Sequence, residues 1–371
     1  MTDISQYIDN DMTLRAMSEE IIKASTKKPR NYLGMSEIGE QCWRMLWYRF
    51  RNVIEETLTL KSLLAIEDGY KQEDIMAARL RLVPGVKLET EDPETGEQFG
   101  VKLIGGHFAG HLDGKIIGIY ESPKTLHIWE NKAVNEKKFE SLKKLILSEG
   151  EKQALALWDE TYYAQSVIYM KAFKLTRHYM TVESPGGRDY TSCRTEANNK
   201  DAVSLIAKAE TIIKADRPPQ RLSENRSFYK CGWCRMKEIC FDNKVPAVNC
   251  RTCAFSEPII DDKIMNATWK CYKKNIDFAG QGEVCEEHLF LNTLVPFKTV
   301  AADEGVPNWI KYALPTGESF CNINSKSKAK GHTSNQLYDM EYFELAMKTD
   351  NKNFQAIQKD KEETKKIKGL I

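Results

Sequence analysis

The sequence has no run approaching about eighteen apolar residues, and its opening stretch MTDISQYIDNDM lacks the basic-then-apolar order of a secretory leader. A membrane span and export are both unexpected, and the chain is read as soluble and cytoplasmic. It also lacks an excess of charge of either sign. The 54 Lys and Arg residues against 53 Asp and Glu leave a net +1, so bulk electrostatics does not mark a polyanion binder, and any basic groove must be local. No internal repeat is visible. With 371 residues the chain is long enough for one large unit and a smaller appendage.

Cysteine, by contrast, is plentiful. Of the ten, eight fall into groups with ligand-like spacing, which in a reducing compartment favours metal sites over disulfides; Cys193 and Cys321 are left over. Cys42 stands alone near the start, and Cys231-Gly-Trp-Cys234 followed by Cys240 appears far downstream. One thiol before a possible catalytic core and three beyond it have the look of a four-thiolate staple, although four thiolates alone suit zinc or iron–sulfur equally. Joining them closes a very long loop and clamps the terminal elements around whatever lies between.

Apolar residues at three- and four-residue intervals predict helices around Thr13 to Ala24, Gly39 to Phe50 and Leu60 to Leu82. From Lys102 to Ala133 the pattern changes to short β-rich runs, with turn signals at Gly105-Gly106, Asp113-Gly114 and Ser122-Pro123. Helical character returns from Phe139 to Lys174 and from Lys200 to Ala215, and Arg217-Pro-Pro then breaks the chain. Past about Asn322 the sequence is rich in Lys, Asn, Ser and Glu without an apolar period, and no fold is assigned there.

The chemistry begins at Glu130-Asn131-Lys132. An acidic residue two before a lysine is common by chance, but strand alternation puts Leu126, Ile128, Glu130 and Lys132 on one face, so an apolar stripe ends in a carboxylate and an ammonium. A solvated strand end with a snorkelling lysine is the plain explanation. Asp113-Gly114 weighs against it: the strand that follows can turn back to pair with the Glu130 strand and bring the two carboxylates together. With the backbone carbonyl of Asn131 they form a hard oxygen site for Mg²⁺ or Mn²⁺, and Lys132 stands beside it. Phosphodiester hydrolysis needs such a set, a metal to activate water and a cation to orient it or stabilise developing charge. In Ile66-Glu-Asp-Gly69-Tyr-Lys-Gln-Glu73, Glu73 is a candidate third ligand, or one of a surface acidic cluster. Gln165 and Tyr169 lie one helical turn apart, suited to a phosphate or to steadying the lysine, though a core-edge helix has the same spacing.

These residues resemble the PD-(D/E)xK nuclease superfamily, in particular the RecB-like nucleases with an iron–sulfur cluster, which include AddB-type nuclease domains and CRISPR-adaptation exonucleases. The resemblance runs from about Ser36 to Cys240. Ser36-Glu-Ile-Gly39-Glu-Gln-Cys42-Trp-Arg44 is similar to the helical segment bearing the first cluster cysteine, and Gly69 to Glu73 to the first nuclease motif, where many relatives carry histidine in place of Glu73. Asp113, Glu130 and Lys132 match the metal-binding and catalytic motifs, and Gln165 and Tyr169 match the Q-x-x-x-Y helix. The resemblance implies a restriction-endonuclease-like mixed sheet flanked by helices and metal-dependent DNA cleavage at ends or single strands. It also implies a [4Fe–4S] cluster on Cys42, Cys231, Cys234 and Cys240. Compact members with an added cysteine module are similar to phage-encoded proteins, which places the chain in a bacterium or a phage-infected host, in recombination, repair or phage DNA processing.

After Pro246 comes a second set: Cys250-Arg-Thr-Cys253, Cys271 and Cys285-Glu-Glu-His288. Tetrahedral zinc would take Cys250, Cys253, Cys271 and Cys285, with His288 as the alternative fourth ligand; a second iron–sulfur site or free thiols compete with it. The segment is too short for a large core, so a metal would supply much of its folding energy. The expected organisation is a nuclease domain at 1–245, a zinc module at 246–300 and a C-terminal extension at 301–371. His107 and His111 are taken as supporting residues. Arg44 and Arg49 are read as phosphate contacts or surface snorkels, and Trp233 as a cover for the cluster more than a base-stacking ring. The alternatives to a metal-dependent exonuclease are a catalytically silent DNA-binding or inhibitory partner and a metal-stabilised scaffold of a recombination complex.

Overall fold

The computed structural model describes residues 11–25, 30–55, 58–280, 285–315 and 317–339. Helix α1 (Met12–Ala24) starts where Asp11 accepts from the amides of Thr13 and Leu14. A short strand β1 (Leu33–Gly34) and a 3₁₀ turn (Met35–Glu37) precede α2 (Trp43–Phe50), which begins at Cys42 rather than at Gly39. The long helix α3 (Leu60–Arg81) is capped by Thr59.

Then come β2 (Lys87–Glu89), β3 (Gly100–Leu103), β4 (Phe108–His111), β5 (Gly114–Ile117) and β6 (His127–Ala133). The helical span expected over Phe139 to Lys174 is three helices: α4 (Glu136–Glu149), α5 (Glu151–Trp158) and α6 (Glu160–Ala172). Gly150, at φ +81, separates the first two, and the Asp159 carboxylate caps the third by accepting from Thr161 and Tyr162. The hairpin β7 (Arg177–Glu183) and β8 (Tyr190–Glu196) follows, then α7 (Asn199–Lys214). Two short helices, α8 (Tyr229–Gly232) and α9 (Lys237–Phe241), carry the cysteine triplet.

The architecture is mixed α/β. The largest sheet has order β2-β5-β6-β7-β8, all antiparallel except the parallel β6–β7 pair; β1, β4 and β3 form a separate sheet. The β-rich run from Lys102 to Ala133 is therefore divided between two sheets. Strand β6 is buried on both faces. Ile128 packs in the main core with Val167 and Ile168 of α6, while Trp129 packs with Met76 and Ala77 of α3. The apolar stripe is shorter than expected, because Leu126 is exposed.

Beyond Pro246, β9 (Ser256–Pro258), β10 (Thr268–Cys271) and β11 (Ile276–Ala279) form one antiparallel sheet, and β12 (Lys298–Ala302), β13 (Trp309–Ala313) and β14 (Ser319–Ile323) another, followed by α10 (Ser334–Asp339). Phe255, Leu289 and Phe290 share one apolar cluster with Tyr312, Phe320 and Leu337, so a single core runs across position 300. The last 32 residues of the expected extension lie outside the described residues.

This C-terminal part docks on the body through the turn before β4. Gly106, at φ +83, lets the chain pass so close that a Cβ there would lie 2.6 Å from the Met265 carbonyl carbon. Beside it, Nε2 of His107 sits 3.1 Å from the carbonyl oxygens of both Ile259 and Thr268. His107 is thus structural, and burial pulls its pKa down to about 4. Arg51 and Arg251 lie buried in the same seam, where burial lowers both guanidinium groups to about 10 and leaves them charged at neutral pH. Among the described residues no helix is long and apolar enough to cross a membrane.

Candidate active site

The site forms because β6 outruns β5. Their pairing ends at Gly114 opposite Trp129, which leaves the edge of β6 from Glu130 onward open to Asp113. The Asn131 amide donates to Asp113 Oδ2 at 2.8 Å, in the manner of a further rung of the sheet. Of the Asn131 backbone, the N–H is therefore the group tied to Asp113. Nζ of Lys132 donates to Glu130 Oε2 at 2.9 Å and to Asp113 Oδ2 at 3.4 Å.

Glu130 is 1 % exposed. Burial, and then the neighbouring Asp113 charge, push its pKa up to about 8. Its Oε1 is buried with no hydrogen-bond partner among the described residues. Glu73 reaches the same field from α3: burial and Asp113 raise it to about 7, and Lys132 works against them. For Lys132 itself burial favours the neutral amine, but Asp113 and Glu130 outweigh it and hold the ammonium well above its ordinary range. Asp113, Glu130 and Lys132 thus form one cluster at the end of β6, and Glu73 lies close enough to feel its charges.

Helix α6 supplies the wall. Gln165 Nε2 donates to Glu130 Oε2 at 3.4 Å and to the Tyr169 hydroxyl at 3.3 Å, and that hydroxyl donates to the His111 carbonyl at 2.9 Å. Gln165 therefore meets the acidic cluster, whereas Tyr169 holds the turn that carries Asp113. Among the described residues neither Gln165 nor Tyr169 hydrogen-bonds to Lys132. The other face of β6 contains a layer that sequence reasoning missed. Asn131 Nδ2 donates to Glu183 Oε1 at 3.1 Å, Thr181 Oγ1 donates to Asn131 Oδ1 at 2.8 Å, and Arg79 pairs with Glu183 at 3.3 Å. These contacts fix the strand that presents Glu130 and Lys132. The β-branched run Thr181-Val182 before Pro185-Gly186-Gly187 was the available signal for β7 and its hairpin.

Among the described residues, no group of three or more His, Cys, Asp or Glu side chains is spaced to hold a metal ion as it stands. In the acidic cluster Lys132 Nζ lies between two of the carboxylates. The residues nevertheless suit a hard divalent cation, since they are all-oxygen donors and include the orphaned, buried Glu130 Oε1.

Cys42, Cys231, Cys234 and Cys240 line one small cavity with Arg44, Tyr48, Arg221 and Lys237 but no carboxylate, a donor set suited to soft metal or iron–sulfur chemistry. No cysteine is in a disulfide. Arg44 is engaged by the Pro219 carbonyl and Tyr48, and Arg49 pairs with Glu37, so both brace the fold. Trp233 is 93 % exposed and covers nothing. Cys250, Cys253, Cys271, Cys285 and His288 line a second cavity. His288, however, has both ring nitrogens occupied, Nδ1 with Ser334 Oγ at 2.8 Å and Nε2 with the Asn249 carbonyl at 3.1 Å.

No family model and no curated protein matches this sequence. Among solved structures, the chain is similar to the crystal structure of SSO0001, with TM-score 0.37, 13 % identity, 62 % of this chain covered and 96 % of that one. It is also similar to an alkaline exonuclease, LHK-Exo from Laribacter hongkongensis, solved alone and in complex with dAMP, each with TM-score 0.33, 14 % identity and coverage of 52 % and 90 %.

Proposed function

We propose that the protein is a metal-dependent DNA exonuclease of the PD-(D/E)xK type, acting in recombination, repair or phage DNA processing. The observation that carries this reading is the cluster of Asp113, Glu130 and Lys132 at the end of β6, within reach of the Glu73 charge and with the buried Glu130 Oε1 unpartnered among the described residues. Glu73, Asp113 and Glu130 would hold Mg²⁺ or Mn²⁺. Such an ion supplies Lewis acidity at a phosphate oxygen and makes hydroxide accessible at neutral pH.

The rest belongs to the chain. Lys132, kept charged by the carboxylates, orients the attacking water and offsets charge developing on the phosphate. Gln165 fixes the rotamer of Glu130 by hydrogen bonding, and Tyr169 fixes the Asp113 turn through the His111 carbonyl. Both are positioning residues. With net charge +1, DNA contacts would be local and sequence-independent.

The thiols of Cys42, Cys231, Cys234 and Cys240 would hold a [4Fe–4S] cluster as a staple between α2 and the α8–α9 segment. Anaerobically purified protein should then contain iron and show visible charge-transfer absorption; absence of both removes the cluster from this reading.

The deciding experiment incubates wild type and Lys132→Ala with end-labelled single- and double-stranded DNA in Mg²⁺, Mn²⁺ or chelator. Degradation by wild type alone, and only with metal, supports the assignment. If neither protein cuts while both bind DNA, the chain is a catalytically silent member of the fold.

A further inference from the structure

Neither arginine of the seam forms an ion pair among the described residues, although the charges of Glu257 and Asp216 act on Arg51. Arg51 is 3 % exposed and Arg251 0 %. Arg51 Nη1 donates to the Arg251 carbonyl at 3.0 Å, and Arg251 Nη1 donates to the carbonyls of Phe50 at 2.9 Å and Arg30 at 3.1 Å. Both guanidinium groups stack on Trp269, their central carbons 5.5 and 5.4 Å from the ring centre. Every one of these partners is neutral. Among the described residues Nε of Arg51 and Nε and Nη2 of Arg251 have no hydrogen-bond partner, and neither arginine forms an ion pair. Two like charges side by side in a protein interior are among the most costly arrangements a fold can hold, and they call for a compact double negative charge close by.

The segments that hold the arginines also carry thiols, and that of Cys250 acts on Arg251. Arg251 is flanked in sequence by Cys250 and leads through Thr252 to Cys253, and Trp269, which carries both guanidinium groups, stands on β10 two residues before Cys271. Cys250, Cys253, Cys271 and Cys285 line one cavity of about 300 Å³. His288, its ring nitrogens already committed, leaves Cys285 as the fourth donor.

We infer that these four cysteines bind one Zn²⁺ as a tetrathiolate, and that this site is the counter-ion of Arg51 and Arg251. Loading converts four thiols and one Zn²⁺ into a complex of net charge −2 with release of four protons, which sets negative charge against the buried arginines and against Lys273 and Lys274, which line the same cavity. Metal binding by residues 250–285 is thereby coupled to their docking on the end of α2. The site is separate from the acidic cluster, and a nuclease-dead protein loads it equally.

The test uses full-length, anaerobically purified protein. Wild type is expected to carry one zinc per chain, and Cys271→Ser none. Exchange with Co²⁺ should give the intense absorption of a tetrahedral tetrathiolate. Arg251→Met and Arg51→Met, which keep an apolar chain against the aromatic rings, should each weaken zinc at least about tenfold in competition with a chromophoric chelator, while Arg194→Met, whose guanidinium pairs with Glu151, leaves it unchanged. If one arginine variant fails to fold, the other carries the comparison. Zinc-free wild type whose four thiols are all alkylated under native conditions overturns the site, as does iron in place of zinc. Unchanged zinc affinity in both arginine variants overturns the counter-ion role.

Discussion

Gly110 and Tyr169 are the tightest junction between β4 and α6, and replacing both residues tests whether that junction positions Asp113. A Cβ at Gly110 would lie 2.3 Å from the Tyr169 hydroxyl oxygen, 3.0 Å from its Cε1 and 3.1 Å from Met35 Cβ. Gly110→Ala must therefore displace the Tyr169 ring, and overpacking of this kind costs roughly 1–3 kcal/mol. The displaced hydroxyl also loses the His111 carbonyl, for about another 1 kcal/mol. Tyr169→Phe alone loses only that hydrogen bond, about 1 kcal/mol. In the double variant the atom at 2.3 Å is gone and the closest approach relaxes to 3.0 Å, which small shifts absorb. The double variant should therefore be more stable than the sum of the single effects by about 1–2 kcal/mol, a coupling typical of residues in direct contact.

Urea unfolding followed by tryptophan fluorescence, in chelator so that no metal contributes, measures the cycle; DNA cleavage by the same four proteins provides the second readout. Gly110→Ala should lose more activity than Tyr169→Phe, and the double variant should recover part of it. Additivity within about 0.5 kcal/mol would mean that the ring moves freely, and the positioning role of Tyr169 would be wrong.

Glu183→Ala removes a buried partner of both Asn131 and Arg79, and should lower stability by about 2–3 kcal/mol in thermal unfolding while cleavage falls with it. His107 links stability to pH. Its folded pKa of about 4 lies below the ordinary 6.5, so the unfolded chain takes up the proton first as pH falls. Stability is complete above 6.5 and declines toward pH 4 by at most about 3 kcal/mol. His107→Gln, which keeps a donor but does not titrate, should flatten urea midpoints measured across that window; an unchanged slope would exclude His107 as the source. Gly106→Ala forces a side chain into a positive-φ position and against the Met265 backbone, so limited proteolysis should cut near residues 245–260 faster than in wild type.

The acidic residues of the site were readable because strand alternation and the Asp113-Gly114 turn are local signals, and β5 and β6 pair as those signals direct. Gln165 and Tyr169 were found by helical spacing, but not their partners: a one-turn interval says that two side chains share a face, not that one meets a carboxylate and the other a backbone carbonyl five elements away. Strand β7 escaped because its second half is buried on both faces and so does not alternate, and the mostly polar β8 and the Thr181–Asn131–Glu183 layer went unseen with it. The strands from position 298 onward were hidden for another reason. Their apolar residues are few per strand and become a core only when pooled with Phe255, Leu289 and Phe290, a pairing with no local trace. The buried arginines carried no signal either, since nothing in Arg51 or Arg251 distinguishes them in sequence from surface cations.

Helix α2 runs from Trp43 to Phe50, about 12 Å for its eight residues, and the residues that flank it, Cys42 and Arg51, are both engaged by the far half of the chain. Cys42 faces a cavity shared with residues 231–240, and Arg51 hydrogen-bonds to the carbonyl of Arg251. On the ribosome, then, α2 must wait for residues 231–251 to be made before either end is secured. The sheet that carries the acidic cluster, finished by residue 196, can assemble well before it is clamped. Maturation is thus ordered by chain topology, and a chain halted near residue 220 would present the cleft without the parts that brace it.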